Sequence, residues 1–319
     1  MKKGVLLAIL SVVLVAGCVQ GQFPFISTTT TVVSGAGLVI TEFTADPAEI
    51  YTDASGRIMV TISNRGGAIV DAGDAVFYLT GSGIKDDLQN DLYWSGRGST
   101  TSVFEQITKK LDPENPVADV PAGEQMITYS LTSPSGIAKG STREDIFIGR
   151  LYYDYSTTVM GNIWVYSEAE SDAARATDKP LNKATLSSTA GPIALYVTAR
   201  PDPVVLAPGD DTFTLQIKIS NVGGGTLYKA ESIDYSNPDL SMDTETQLHI
   251  LDIDVEGSGL TGFDECEGEQ EMTVGRDITL SCDVSVTSPP TTMQSYQIKV
   301  VATYGYRTER TAEVTVSGR

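Results

Sequence analysis

The chain of 319 residues carries 41 acidic side chains against 22 basic ones, a formal net charge of -19, and 41% of its residues are hydrophobic. That apolar share is enough for packed cores and the length suggests about two domains, while so large a negative excess repels phosphate backbones and argues against nucleic-acid partners. A single histidine and three cysteines leave little material for imidazole catalysis or a thiolate metal site.

Lys2 and Lys3 precede a largely apolar run from Gly4 to Ala16, which closes in Leu14-Val15-Ala16-Gly17-Cys18. The run is shorter than the roughly 20 residues that a membrane-spanning helix needs. Its basic flank, apolar centre and small closing residues are those of an export signal. Val-Ala-Gly-Cys at this depth resembles a lipobox. The resemblance implies a lipoprotein signal peptide over 1–17, cleavage before Cys18, lipid on its sulfur and attachment to a membrane. No later stretch approaches a second span.

Residues 18–37 read as a tether. Ser27 and the four threonines Thr28 to Thr31 bury little and show no amphipathic period.

From there on, strand patterns dominate. Ile58, Val60 and Ile62 alternate with polar residues, as do Phe213, Leu215, Ile217 and Ile219, and again Leu280, Cys282 and Val284. A period of two marks strands with one buried and one wet face. Clusters of Gly, Pro, Asn and Asp separate them. The best helix candidate, Glu168 to Arg175, is short.

The chain also repeats itself. Asp46-Pro47 recurs as Asp202-Pro203, and Ser63-Asn64-Arg65-Gly66-Gly67 recurs as Ser220-Asn221-Val222-Gly223-Gly224. Tyr153-Asp154-Tyr155 recurs as Tyr304-Gly305-Tyr306. Matches in the same order at nearly constant spacing predict two copies of one domain. The expected boundaries are 38–171 for the first copy, with an insertion around 84–123, a linker over 172–191, and 192–319 for the second. Each copy has room for about seven short antiparallel strands, so the fold class expected is all-β, with two tandem immunoglobulin-like sandwiches. Ser-Asn-x-Gly-Gly is turn chemistry, because Asn and Gly tolerate positive φ. The paired tyrosines predict a shared structural role near a hairpin.

On these motifs the chain resembles immunoglobulin-like domains of the cell-adhesion-related type, found in archaeal and bacterial surface proteins. The lipobox followed by a threonine run also resembles archaeal surface lipoproteins. The resemblance implies a non-enzymatic surface protein.

Candidate chemistry is sparse. Cys266 and Cys282, left as an even pair once Cys18 takes lipid, are expected to form a disulfide in an oxidising compartment. His249 reads as a solvent-facing residue of a strand. Asp252, Asp254 and Glu256 alternate onto one strand face, and Asp264 and Glu267 follow near Cys266. Hard oxygen donors at this density are candidates for Ca²⁺, against the reading of a solvated acidic face, and no other cofactor is indicated. A sparser acidic group is Asp71, Asp74, Asp86, Asp87 and Asp91. Tyr93, Trp94 and Trp164 are the candidate ligand-binding aromatics, since exposed rings beside polar groups mark recognition surfaces, unless the insertion covers them. The sequence therefore predicts a lipid-anchored protein outside the cytoplasm that presents a binding, adhesive or structural surface. Its partners are the membrane through Cys18, a protein or glycan at the cell surface, and further copies of itself. The alternative is a polysaccharide-acting hydrolase or its carbohydrate-binding accessory, built on carboxylates and Trp94.

Overall fold

The computed structural model describes residues 30–31, 35–81, 94, 104–115, 117–236, 249–273 and 275–319. The proposed signal peptide, with Cys18, lies outside the described residues, as do most of the tether and half of the insertion. In chain order the strands are β1 (Thr30–Thr31), β2 (Leu38–Asp46), β3 (Glu49–Tyr51), β4 (Ser55–Asn64), β5 (Ala75–Gly81), β6 (Phe104–Gln106), β7 (Glu124–Thr132) and β8 (Thr142–Ser167). Helix α1 (Glu168–Ala176) follows, then β9 (Thr185–Ser188), β10 (Ile193–Arg200), β11 (Val204–Leu206), β12 (Thr212–Asn221), β13 (Thr226–Tyr228), β14 (Ile250–Gly257) and β15 (Leu260–Thr261). The last three are β16 (Gly268–Glu271), β17 (Ile278–Val286) and β18 (Met293–Ser317).

The all-β sandwich architecture expected from the alternating pattern is present. A sheet of β2, β4 and β7 covers one end of a long sheet, and a sheet of β10, β12, β17 and β15 covers the other. The buried faces are those the alternation marks: Ile58, Val60 and Ile62 on β4, and Phe213, Leu215, Ile217 and Ile219 on β12.

The long sheet is where the two halves depart from beads on a string. Strands β8 and β18 are 26 and 25 residues long. They pair antiparallel in one unbroken register, from Met293 opposite Tyr166 to Ser317 opposite Thr142. The start of β8 pairs with β5 of the first half, while its end pairs with β9 and β11 of the second. Conversely, the start of β18 pairs with β14 and its last residues pair with β3 of the first half. Each half thus sends its closing strand into the other. The tyrosine repeats mark no hairpin. Alternation continues through them, and both strands run straight on.

The expected linker over 172–191 also carries structure. Its helix starts just upstream, where the Ser167 side chain accepts the Glu170 N–H at 3.3 Å, a conventional N-cap. Strand β9 then joins the long sheet beside β8. The segment is built into the sheet instead of spacing two domains apart.

At the midpoint of the ladder, Tyr155 lies opposite Tyr304 and Tyr153 opposite Tyr306. All four are buried. Their rings close a circuit: Tyr153 to Tyr155 and Tyr153 to Tyr306 at 5.9 Å, Tyr155 to Tyr304 and Tyr304 to Tyr306 at 6.3 Å. Tilted and edge-to-face contacts at such spacings favour aromatic pairs by about 0.5–1.5 kcal/mol beyond burial.

The repeated Ser-Asn-x-Gly-Gly motif explains its own recurrence here. Asn64 Nδ2 donates to the Ala68 carbonyl at 2.8 Å and Asn221 Nδ2 to the Gly225 carbonyl at 3.0 Å, so each asparagine braces the turn after its strand. The turn then reaches the tyrosines. The Ala68 N–H donates to the Tyr155 hydroxyl at 2.9 Å, and the Gly225 N–H to that of Tyr306 at 2.7 Å. Glycine is required at the closest approach: a Cβ on Gly66 would stand 1.9 Å from the Tyr155 oxygen.

Candidate functional site

Of the three candidate aromatics, Tyr93 lies outside the described residues. Trp94 follows the second of its two readings and is covered, not the exposed ring a ligand-binding role would need. It is 8% exposed, stands edge-on to Phe147 at 5.3 Å, and its indole N–H donates to Asp145 Oδ2 at 2.8 Å. Asp145 is itself 2% exposed and accepts from Arg143 at 2.8 Å. A buried carboxylate needs such partners to offset desolvation. Trp94 therefore pins its part of the insertion to β8, and the hydrolase alternative loses its aromatic platform. Asp145 carries no local signal in the sequence, since it occupies an inward position of β8 where an apolar residue would be expected. Trp164 is half-buried on the face of β8 opposite Ile163 and Val165, across from Ser295.

Cys266 and Cys282 form the expected disulfide. It ties the short 3₁₀ turn Asp264–Cys266 to β17, and both cysteines are buried. Cys282 faces inward with Val284, as the alternation indicates.

The calcium expectation is corrected by placement. Asp252, Asp254 and Glu256 do share the exposed face of β14, but Asp264 and Glu267 belong to the turn at the disulfide. Among the described residues no three His, Cys, Asp or Glu side chains come together as a metal site would need. Lysines answer the acidic face instead. Lys299 meets Glu256 at 3.1 Å, and Lys229 meets Glu269, which lies across from Asp252. These are exposed pairs, screened by solvent and of little weight for stability.

His249 is not in a strand. It precedes β14 in a turn at φ +66°, in the left-handed region, and is half-buried.

The structure adds a polar network that the sequence reading missed. On the outer face of the long sheet, Val76, Tyr152, Tyr228 and Tyr235 form a second small core. Tyr228 and Tyr235 share a hydroxyl contact of 2.8 Å, and Tyr235 donates to Asp154 Oδ1 at 2.8 Å. The Glu231 N–H approaches Asp154 Oδ2 at 3.2 Å. Asp154 thereby holds the segment after β13 onto the crossing. Burial drives its carboxyl above the usual range, against the two hydrogen bonds, and nearby Asp74 adds to the rise. Gly305, opposite Asp154, makes room: a Cβ there would lie 2.0 Å from the Tyr228 ring. The signal available was the Asp-for-Gly difference between Tyr153-Asp154-Tyr155 and Tyr304-Gly305-Tyr306.

No protein-family model matches the chain, and no curated protein matches it. Among solved structures, the D0-D1 domain of intimin is 10% identical, with 87% of this chain and 98% of that chain covered and a TM-score of 0.17. A structure titled for manganese lipoxygenase of Gaeumannomyces graminis and a partial zonadhesin of Komagataella pastoris is 10% identical, covering 86% and 88%, with a TM-score of 0.18. Collagen adhesin from S. aureus is 11% identical, covering 88% and 92%, with a TM-score of 0.11. Scores this low carry no argument, and the fold rests on the sheets described above. Among the described residues no helix is long and apolar enough to cross a membrane.

Proposed function

We propose that this chain is a non-enzymatic surface protein outside the cytoplasm, anchored by lipid on Cys18, whose joined sandwiches serve as a stiff adhesive or structural module. The observation that carries the reading is the single-register ladder of β8 and β18 through both halves. A strand of 26 residues rising about 3.3 Å each is on the order of 85 Å long. With two facing sheets packed on it, such a ladder holds a surface at a fixed distance from its anchor. The buried disulfide supports the compartment, because such bonds persist where the medium is oxidising. The lipobox and threonine tether supply the attachment.

The test is fractionation of cells expressing the full chain and its Cys18→Ser variant, followed by protease shaving. The proposal expects the wild type in the membrane fraction and digestible from outside, with Cys18→Ser released. Wild-type chain in the cytoplasmic fraction, or a variant that stays membrane-bound, would overturn the anchor. Adhesion is read by saturable binding of the released protein to isolated envelopes. Absence of such binding leaves the structural role and removes the adhesive one.

A further inference from the structure

Two clefts adjoin at the turn Gly223-Gly224-Gly225 and share Gly224, Gly225, Thr226 and Arg307 as walls. One, of about 430 Å³, runs between the start of β2 and residues 307–310 of β18. The other, of about 510 Å³, is bounded by His249, Thr273 and Arg276. Both volumes fall in the range of small-ligand sites.

Their charge is opposite to that of the chain. Three arginines, Arg276, Arg307 and Arg310, line clefts in a protein of net charge -19. The two lining carboxylates are engaged elsewhere: Asp277 with Lys218 at 2.8 Å and Glu309 with Arg150 at 3.3 Å. Arg276 and Arg310 make no ion pair among the described residues, while Arg307 reaches toward the Thr226 hydroxyl at 3.4 Å and lies over the Tyr152 ring at 5.9 Å.

Arg310 also breaks the pattern of its strand. It lies on the same face of β18 as Tyr304, Tyr306, Ala312, Val314 and Val316, which are buried, yet it is exposed at the mouth of the first cleft. A guanidinium on an otherwise inward face, where neither facing sheet covers it, has no packing role. At the turn, Gly224 has φ +73° and open space where a side chain would begin, so the main chain there is accessible from both clefts.

We infer that the paired clefts bind a small ligand carrying at least two carboxylates, with Arg310 receiving one end and Arg276 the other, while Arg307, held over Tyr152, adds its charge to the shared wall. Guanidinium groups take carboxylates in a two-pronged contact. The surrounding negative surface repels a long polyanion and so selects a short one. This inference does not rest on the proposed anchor or on adhesion.

The test is calorimetric titration of the full chain with citrate and with digalacturonate, which separate a free polycarboxylate from an acidic saccharide. Inorganic sulfate and a neutral disaccharide serve as controls. One saturable site for at least one of the two carboxylate probes, weakening as salt rises, is expected. Arg276→Gln and Arg310→Gln should each lower the affinity about tenfold, as loss of one charge-assisted contact implies. Arg175→Gln, which alters an exposed pair on α1, should leave it unchanged. Melting curves confirm that each variant folds. No saturable binding of either carboxylate probe, binding indifferent to both cleft substitutions, or equal affinity for sulfate overturns the inference.

Discussion

Removing one hydroxyl from the tyrosine circuit should have opposite effects at two positions whose ring centres are 5.9 Å apart. The Tyr306 hydroxyl donates to Asn221 Oδ1 at 2.8 Å and accepts the Gly225 N–H at 2.7 Å. Tyr306→Phe keeps the ring and abandons both partners. Asn221 is exposed and can turn to water, while the half-buried Gly225 amide loses its acceptor and is only partly reached by solvent. A fully buried stranded donor costs about 1–3 kcal/mol, and water reaches this one in part, so we expect a loss of about 1 kcal/mol. The Tyr153 hydroxyl, by contrast, is buried with no hydrogen-bond partner among the described residues. Its desolvation is unrepaid in the folded state, so Tyr153→Phe should be neutral or stabilise by about 1 kcal/mol. The two variants delete the same atom type, and their separation should reach about 2 kcal/mol. Urea unfolding followed by near-ultraviolet and far-ultraviolet circular dichroism would measure it, with coincident transitions required first. A Tyr153→Phe variant as destabilised as Tyr306→Phe would refute the reasoning, and ring packing alone would then have to account for the circuit.

Three further outcomes follow from the same geometry. Replacing Cys266 and Cys282 together by serine should cost on the order of 3 kcal/mol, from the chain entropy of a loop with sequence separation 16, read as a lower urea midpoint. Trp94→Ala empties a buried indole site and leaves Asp145 with one fewer donor, so a loss of about 3–5 kcal/mol is expected, read by calorimetric melting. Asp154 has a folded-state pKa raised by burial. Its contribution to stability is therefore fully present below the unfolded-state value near 3.9 and is lost as pH rises through the folded value. Stability measured from about pH 3 to 7 should carry this falling component in the wild type. Asp154→Asn should remove it, and an unchanged difference between the two curves would contradict the assignment.

Much of the architecture was legible because period-two alternation reports directly on which face is buried. Ile58, Val60 and Ile62, and Cys282 with Val284, are inward as read. The repeated Asn-x-Gly-Gly turns were legible as turns, but their glycines answer mainly to the close approach of Tyr155 and Tyr306, since only Gly224 among them takes a positive φ. The exchange of closing strands was not, since alternation looks the same whether a strand ends in a hairpin or continues. Asp154 and Gly305 even resemble turn residues, and only the partner strand decides that they lie mid-ladder. For a related reason the sequence leaves Trp94 open between an exposed and a covered ring: an insertion without periodicity says nothing of which side its aromatic faces. The arginine clefts carry no sequence signal, because Arg276 and Arg310 are distant in sequence and only the fold sets their two clefts side by side at Gly224.

The uninterrupted ladder also bears on how the molecule carries load. Antiparallel hydrogen bonds lie perpendicular to the strands. A pull that draws the first half away from the tip of the second therefore slides β8 against β18, straining many bonds at once, where a peeling geometry would open them singly. Because each half is closed by a strand rooted in the other, neither can give way and leave its neighbour whole. Under tension such a protein should yield in one event at high force, without the stepwise lengthening of modules strung in series.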